Sequence, residues 1–229
     1  MSSPRRSLDA AEIDHMMDSL EVVRISSTIV RNHTTLVPNG AGYNNGAHIG
    51  NCIQLLLLTF PNAGPNLVRH TVFHDYPEHV TGDIVGDAKV KFPELKDVID
   101  YIENQTDEHY KILQGWDMVP YENKILKVVD RLELFLWCRE QAELGCRAPR
   151  FLNMCKRVDT AIFDFLSEAF VLLKEEIDRY YSNELYRNLL TNDSSLPPAA
   201  QRAFDYLNDA WVALTRLEAI FIQSRNFLR

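Results

Sequence analysis

The chain has 229 residues, 46% hydrophobic and 24% charged, enough to bury one sizeable core without disulfides or a structural metal. That balance excludes a largely disordered protein, and the longest apolar run, residues 55–58, is far too short to span a bilayer. A formal net charge of −8 disfavours a role in coating nucleic-acid polymers, whose phosphates it would repel at long range, but leaves room for a small anionic substrate held by local cations.

The opening segment MSSPRRSLDA carries two arginines and no apolar stretch, so no secretory signal is expected and the cytoplasm is the default compartment. Helical periodicity begins at once. Residues 8–23 place Ile13, Met16, Met17 and Leu20 at spacings of three and four, the pattern of an amphipathic helix. A second stretch, 25–47, runs into the Gly- and Asn-rich segment PNGAGYNNGA, read as an irregular loop. A buried helix is expected at about 48–60, stopped by Pro61, and another from about 65 to 80. After a loop over about 81–92, helices are expected at about 93–113, 121–144, 149–188 and 198–227, with a helix stop and restart at 191–199. No fixed-period repeat and no run suited to strands occurs. The fold class is therefore all-α, a globular bundle of about seven helices. Cys52, Cys138, Cys146 and Cys155 form no CxxC pair and read as thiols of a reducing compartment.

The most informative stretch is HDYPEHVTGD, residues 74–83. An adjacent His74-Asp75 pair offers an imidazole nitrogen and a carboxylate oxygen in diverging directions, as an octahedral metal requires. On a continuous helix Glu78 would share a face with both, where a carboxylate can act as general acid or base beside an ion. Two further residues strengthen the pattern. His48 precedes a buried apolar helix. Asp130 lies in the apolar segment KVVDRLELF, where a bare carboxylate is costly unless it is paired or metal-bound; Arg131 and Lys127 are the alternative partners.

The order His48, His74-Asp75, Asp130 resembles the HD-domain phosphohydrolases. More narrowly, HDYPEHVTGD is similar to the HDxxExxTGD segment of the HD-type 5′-deoxynucleotidases and related small dNTP phosphohydrolases. The segment KVVDRLELFLWCREQAELG is similar to that family's ADxLxAyxxCxEEL helix. Val30-Arg31-Asn32-His33-Thr34 is similar to its Arg-Trp-His-Thr entry segment. The resemblance covers about residues 25–145. It implies an HD-domain core over 1–148, and residues 149–229 are read as a C-terminal helical extension packed on the same domain.

The resemblance further implies that His48, His74, Asp75 and Asp130 ligate a divalent metal, with nitrogen and oxygen donors suited to Mn, Co, Fe, Zn or Mg. Glu78 would handle the proton of the attacking water, and Asp83 would anchor Glu78 or assist the transfer. Lys89 would contact phosphate and Arg31 phosphate or sugar from the opposite side, with Asn32 and His33 as further substrate-binding residues. The chain departs from the family pattern at Asn32, which replaces tryptophan, at Asp87, which replaces the proline of the TGDxxxPxK loop, and in its longer loop over 38–47.

The implied activity is hydrolysis of a deoxynucleoside 5′-monophosphate to deoxynucleoside and phosphate. Release of triphosphate from a dNTP is the alternative on the same site, and a non-catalytic helical binding protein with a vestigial site is the alternative of another class. A two-metal cyclic-nucleotide phosphodiesterase would need more histidines than His109 alone between positions 80 and 130. Neither a nucleic-acid polymer nor a membrane is an expected partner. A homo-oligomer is expected, with the apolar pattern of the C-terminal helices serving either an interface or the core. Two histidine arrangements and a lysine pair stand beside this constellation. His70, His74 and Glu78 at i, i+4 and i+8 raise a second metal position; His79 is a candidate partner of the Asp75 carboxylate; and Lys89 and Lys91, flanking Val90, would point the same way on extended backbone.

Overall fold

The computed structural model describes residues 9–31, 43–84, 86–182 and 198–225. Among them are seven helices of nine residues or more and two short ones, with no strand, as an all-α bundle requires. In chain order they are α1 (Ala10–Ser27), α2 (Asn45–Thr59), α3 (Pro65–Phe73), α4 (Glu78–Thr81), α5 (Gly86–Lys91), α6 (Pro93–Tyr110), α7 (Pro120–Glu143), α8 (Pro149–Ser182) and α9 (Pro198–Ser224).

Local chemistry sets the ends. α1 opens on a capping box, with Asp9 accepting from the Glu12 backbone and Glu12 accepting from the Asp9 backbone. Asn44 caps α2 by accepting from the Ala47 N–H at 2.9 Å. Pro65, Pro93 and Pro120 each open a helix at a position where the missing N–H costs nothing.

The helix expected from 65 to 80 breaks instead after Phe73. Pro77 has no N–H to donate to the Phe73 carbonyl, and its ring would clash there. That carbonyl accepts from the Tyr76 N–H at 3.2 Å, closing a turn. The break leaves His74 and Asp75 on the turn and starts α4 at Glu78.

α7 is the central helix. Ile125, Val128, Val129, Leu132, Phe135 and Cys138 are buried along it. Around it pack Leu55 and Leu56 of α2, Phe151, Ile162 and Leu166 of α8, and Leu214, Leu217 and Phe221 of α9, in a single core. Each such side chain contributes ~1.5–3 kcal/mol on burial. The apolar pattern of the two C-terminal helices is thus spent largely inside the chain. α9 also steadies the helix that carries His48, since Arg216 donates to the Thr59 carbonyl at the end of α2, at 2.9 Å.

The apolar residues that mark α1 in the sequence are turned outward. Ile13, Met16, Met17 and Leu20 are 48%, 51%, 61% and 55% exposed, and α1 docks through Val22 and Ser26 instead. The Ser26 hydroxyl donates to the Asp75 carbonyl at 2.8 Å, tying this face of the helix to the turn that carries His74 and Asp75. Cys52, Cys138, Cys146 and Cys155 are buried and form no disulfide.

Candidate metal centre

His48 lies in the first turn of α2 with its ring fully buried. Its Nδ1 is 2.5 Å from Oε2 of Glu133 on α7. Glu133 is held in turn by the Tyr43 hydroxyl, which donates to Oε2 at 2.6 Å, and by the Asn51 amide, which donates to Oε1 at 2.9 Å. Tyr43 is fixed by stacking on Trp137, ring centroids 4.6 Å apart. The imidazole is therefore oriented so that Nε2 faces the centre of the site.

Three side chains meet it there. His48 Nε2 is 3.3 Å from His74 Nε2, 3.6 Å from Asp75 Oδ2 and 3.2 Å from Asp130 Oδ1. His74 Nε2 is 3.4 Å from Asp75 Oδ2. Its other nitrogen, Nδ1, is 3.0 Å from the Thr71 carbonyl and donates to it, so Nε2 presents a lone pair to the cluster. Donor atoms sharing one ion at ~2.0–2.2 Å stand ~3.0 Å apart at right angles and ~3.5 Å apart at tetrahedral angles. The observed spacings, 3.2–3.6 Å, lie towards the tetrahedral end of that range.

The electrostatics agree. Burial by itself would raise the Asp130 pKa, but Arg131, whose Nε is 3.7 Å away, and the two imidazoles hold it well below the usual carboxylate range. Asp75 is likewise kept low against its burial by His74, Arg31 and His48. His74 is pushed down by burial, which favours the neutral, ligating form. For His48, burial and Arg31 pull downward, but hydrogen bonds to Asp130, Cys52 and Glu133 prevail and raise it.

A second donor set overlaps the first. Ligand atoms of His48, Cys52 and His74 all lie within 4.8 Å of one another, so this group could also hold an ion. The Cys52 sulfur is 3.7 Å from both Nδ1 and Nε2 of His48, which places it beside the ring rather than at the Nε2 lone pair. Burial pushes its thiol up to about 11. The carboxylate oxygens of Asp75 and Asp130, 3.6 and 3.2 Å away, lie closer to Nε2 than this sulfur does.

Glu78 opens α4 beside this cluster. Its Oε2 accepts from the Asn45 amide at 2.6 Å, and its carboxyl is pushed up to about 7 by burial and then by the Asp75 charge. Asp83, half-buried after the Gly82 turn at φ 68°, is near enough for its charge to add to that rise.

Arg31 is buried against the site. It donates from one nitrogen to Asp75 Oδ2 and to Asn45 Oδ1, the latter at 3.1 Å, while its Nε has no hydrogen-bond partner. Lys89 lies on α5, half-buried, where its charge acts on Glu103 of α6; Glu103 also feels Asp75. α5 is helical, so Lys89 and Lys91 diverge rather than align, and Lys91 is exposed.

Other expectations fell differently. Asn32 and His33 lie outside the described residues, as do residues 38–42 and 191–197, while the end of the loop expected over 38–47 is already the start of α2 at Asn45. His79 does not reach the Asp75 carboxylate; its Nδ1 pairs with the Tyr76 carbonyl at 2.9 Å. His70 pairs with the Trp116 carbonyl at 2.6 Å, and the break at Pro77 removes the continuous helix that would have aligned it with Glu78. The Asp130–Arg131 pair and the approach to His48 coexist, one on each carboxylate oxygen. Glu133, Tyr43, Asn45 and Asn51 were not singled out from sequence. Glu133 carried a usable signal, an acid one turn after Asp130 in the same apolar helix; the other three carried none.

No curated protein and no solved structure matches the chain. A family model does, 5′-deoxynucleotidase YfbR-like, over residues 62–177, just over half of the chain. The chain belongs to this family. Membership places it among the nucleotidases, a class of hydrolase, as the HDYPEHVTGD resemblance implied. The matched stretch contains His74, Asp75, Glu78, Asp83, Lys89 and Asp130 and extends into α8. His48 and Arg31 precede it, so their place in the site rests on the geometry above. No described helix is long and apolar enough to cross a membrane.

Proposed function

We propose that this protein hydrolyses a deoxynucleoside 5′-monophosphate to deoxynucleoside and phosphate, using a divalent ion held by His48, His74, Asp75 and Asp130. The observation that carries the reading is the meeting of His48 Nε2 with donor atoms of the other three residues at 3.2–3.6 Å in a member of this family. The ion, when bound, polarises a phosphate oxygen and lowers the pKa of a nearby water. Mn, Co, Fe, Zn and Mg all suit two nitrogens and two oxygens.

The chain's own residues supply the rest. Glu78, with a pKa raised to about 7, takes a proton from the attacking water as its oxygen bonds to phosphorus. The phosphorus–O5′ bond breaks and the leaving oxygen receives that proton. Asp83 keeps the Glu78 carboxyl basic enough for this transfer. Arg31 and Lys89 offset phosphate charge, and the family resemblance adds Asn32 and His33 as substrate contacts. Alignment and fixed charge carry most of the rate.

The 149–229 segment serves as a helical extension of the same domain, through the packing of α8 and α9 on α7. The outward apolar stripe of α1 supports a homo-oligomer. A small deoxynucleotide substrate and four buried free cysteines support a cytoplasmic location.

The deciding experiment is a Mn2+- or Co2+-supplemented screen of all dNMPs, NMPs and dNTPs with product analysis. Phosphate from dNMPs supports the reading. Triphosphate from a dNTP would move the cut on the same site. No product from any nucleotide, with metal bound, would sink it in favour of a binding role.

A further inference from the structure

Val30 and Asn44 form a single antiparallel bridge. It is flanked by hydrogen bonds from Arg31 N–H to the Tyr43 carbonyl and from Asn45 N–H to the Ile29 carbonyl, both 3.0 Å. This pairing holds Arg31 and Asn45 side by side at the entrance to α2. Asn45 is fully buried and bonded on both sides of its amide. Its oxygen accepts from Arg31 at 3.1 Å and its nitrogen donates to Glu78 Oε2 at 2.6 Å. The amide cannot turn over, because arginine only donates and a carboxylate only accepts. The same Arg31 nitrogen donates to Asp75 Oδ2.

We propose that Asn45 is a positioning residue that ties Glu78, through Arg31, to Asp75, fixing the proton-handling carboxylate relative to the ion-binding one. The proposal rests on the hydrolytic reading of the site given above. Asn45 engages only Oε2, leaving Oε1 with no partner among the described residues to meet the substrate water. A neutral amide at this place also keeps the guanidinium off the Glu78 carboxylate. Neither Asn45 nor the bridge falls within the matched family stretch.

The test uses full-length protein loaded with Mn2+, comparing wild type with Asn45→Ala, the isosteric Asn45→Asp, Glu78→Ala and the Asn45→Ala/Glu78→Ala pair. For dNMP hydrolysis both Asn45 variants should lose kcat by ~10²-fold, the scale of a small misplacement of a reacting group, with KM and bound-metal stoichiometry unchanged. A merely structural role would lower metal content along with kcat. The Tm losses of Asn45→Ala and Glu78→Ala should be non-additive, the double variant melting no lower than the worse single one. Wild-type kcat in Asn45→Asp, or additive Tm losses, would overturn the proposal. If wild type hydrolyses no nucleotide, the reaction assigned to the site fails, and the Tm cycle alone still decides whether Asn45 holds Glu78.

Discussion

His48 Nδ1 stands 2.5 Å from Glu133 Oε2, joining the first turn of α2 to the central helix α7. Asp130 lies one turn before Glu133 on that helix and approaches the other nitrogen of the same ring. One helix thus grips the imidazole at both ends, by a carboxylate that orients it and by a carboxylate that shares its outlook on the site.

Glu133→Gln should weaken metal binding by ~10–100-fold, the usual consequence of losing a carboxylate behind a ligating histidine. The substitution keeps an acceptor oxygen for Tyr43 or Asn51, so the fold should survive. Calorimetric titration of metal into the chelator-treated variant measures it; wild-type affinity would show that the anchor is dispensable.

Cys52→Ala and Asp130→Asn separate the two overlapping donor sets. If the carboxylates hold the ion, Cys52→Ala retains stoichiometric metal and Asp130→Asn loses it. The Co2+-loaded wild type should then show no thiolate-to-metal charge-transfer band. The reverse pattern would assign the ion to His48, Cys52 and His74.

The Glu78 carboxyl, raised to about 7 by burial and Asp75, must be ionised to accept a proton. Activity should therefore rise with pH through that region, and a bound cation would move the limb to lower pH. A pH profile of kcat/KM for wild type and Glu78→Gln checks this. The variant should be inactive or lack the limb; an unchanged limb would assign it to another group.

The outward stripe of α1 predicts its own phenotype. Met17→Glu with Leu20→Glu should dissociate an oligomer, read by light scattering, while changing folding stability by only ~0.5 kcal/mol per site, as surface substitutions do. A wild type that is already monomeric at micromolar concentration would end this reading.

Periodicity was enough to find α7, α8 and α9, because each buries a long apolar stripe and the 3.6-residue repeat records it directly; α6, which buries only Ile99 and Thr106, was marked instead by its proline start. Periodicity found α1 as well, but spacing said nothing about which face is covered, and Ile13, Met16, Met17 and Leu20 point outward. It also ran α3 through Pro77, where a proline's missing donor outweighs the periodic signal. Glu133 was within reach, since a buried acid in an apolar helix demands partners as Asp130 does. Asn45 and Tyr43 were not, because their value depends on a bridge between residues near 30 and 44 that no local pattern encodes.

The sequence by itself determined the helical class, the family through its HDYPEHVTGD segment, and the identity of the four residues that come together. Those are properties of residue type and spacing along the chain. Only the tertiary structure decided that Arg31 lies against Asp75, that Asn45 bridges to Glu78 and that Glu133 backs His48. Each of these joins groups distant in sequence, and their hydrogen bonds exist only once packing has removed the water that would otherwise satisfy them.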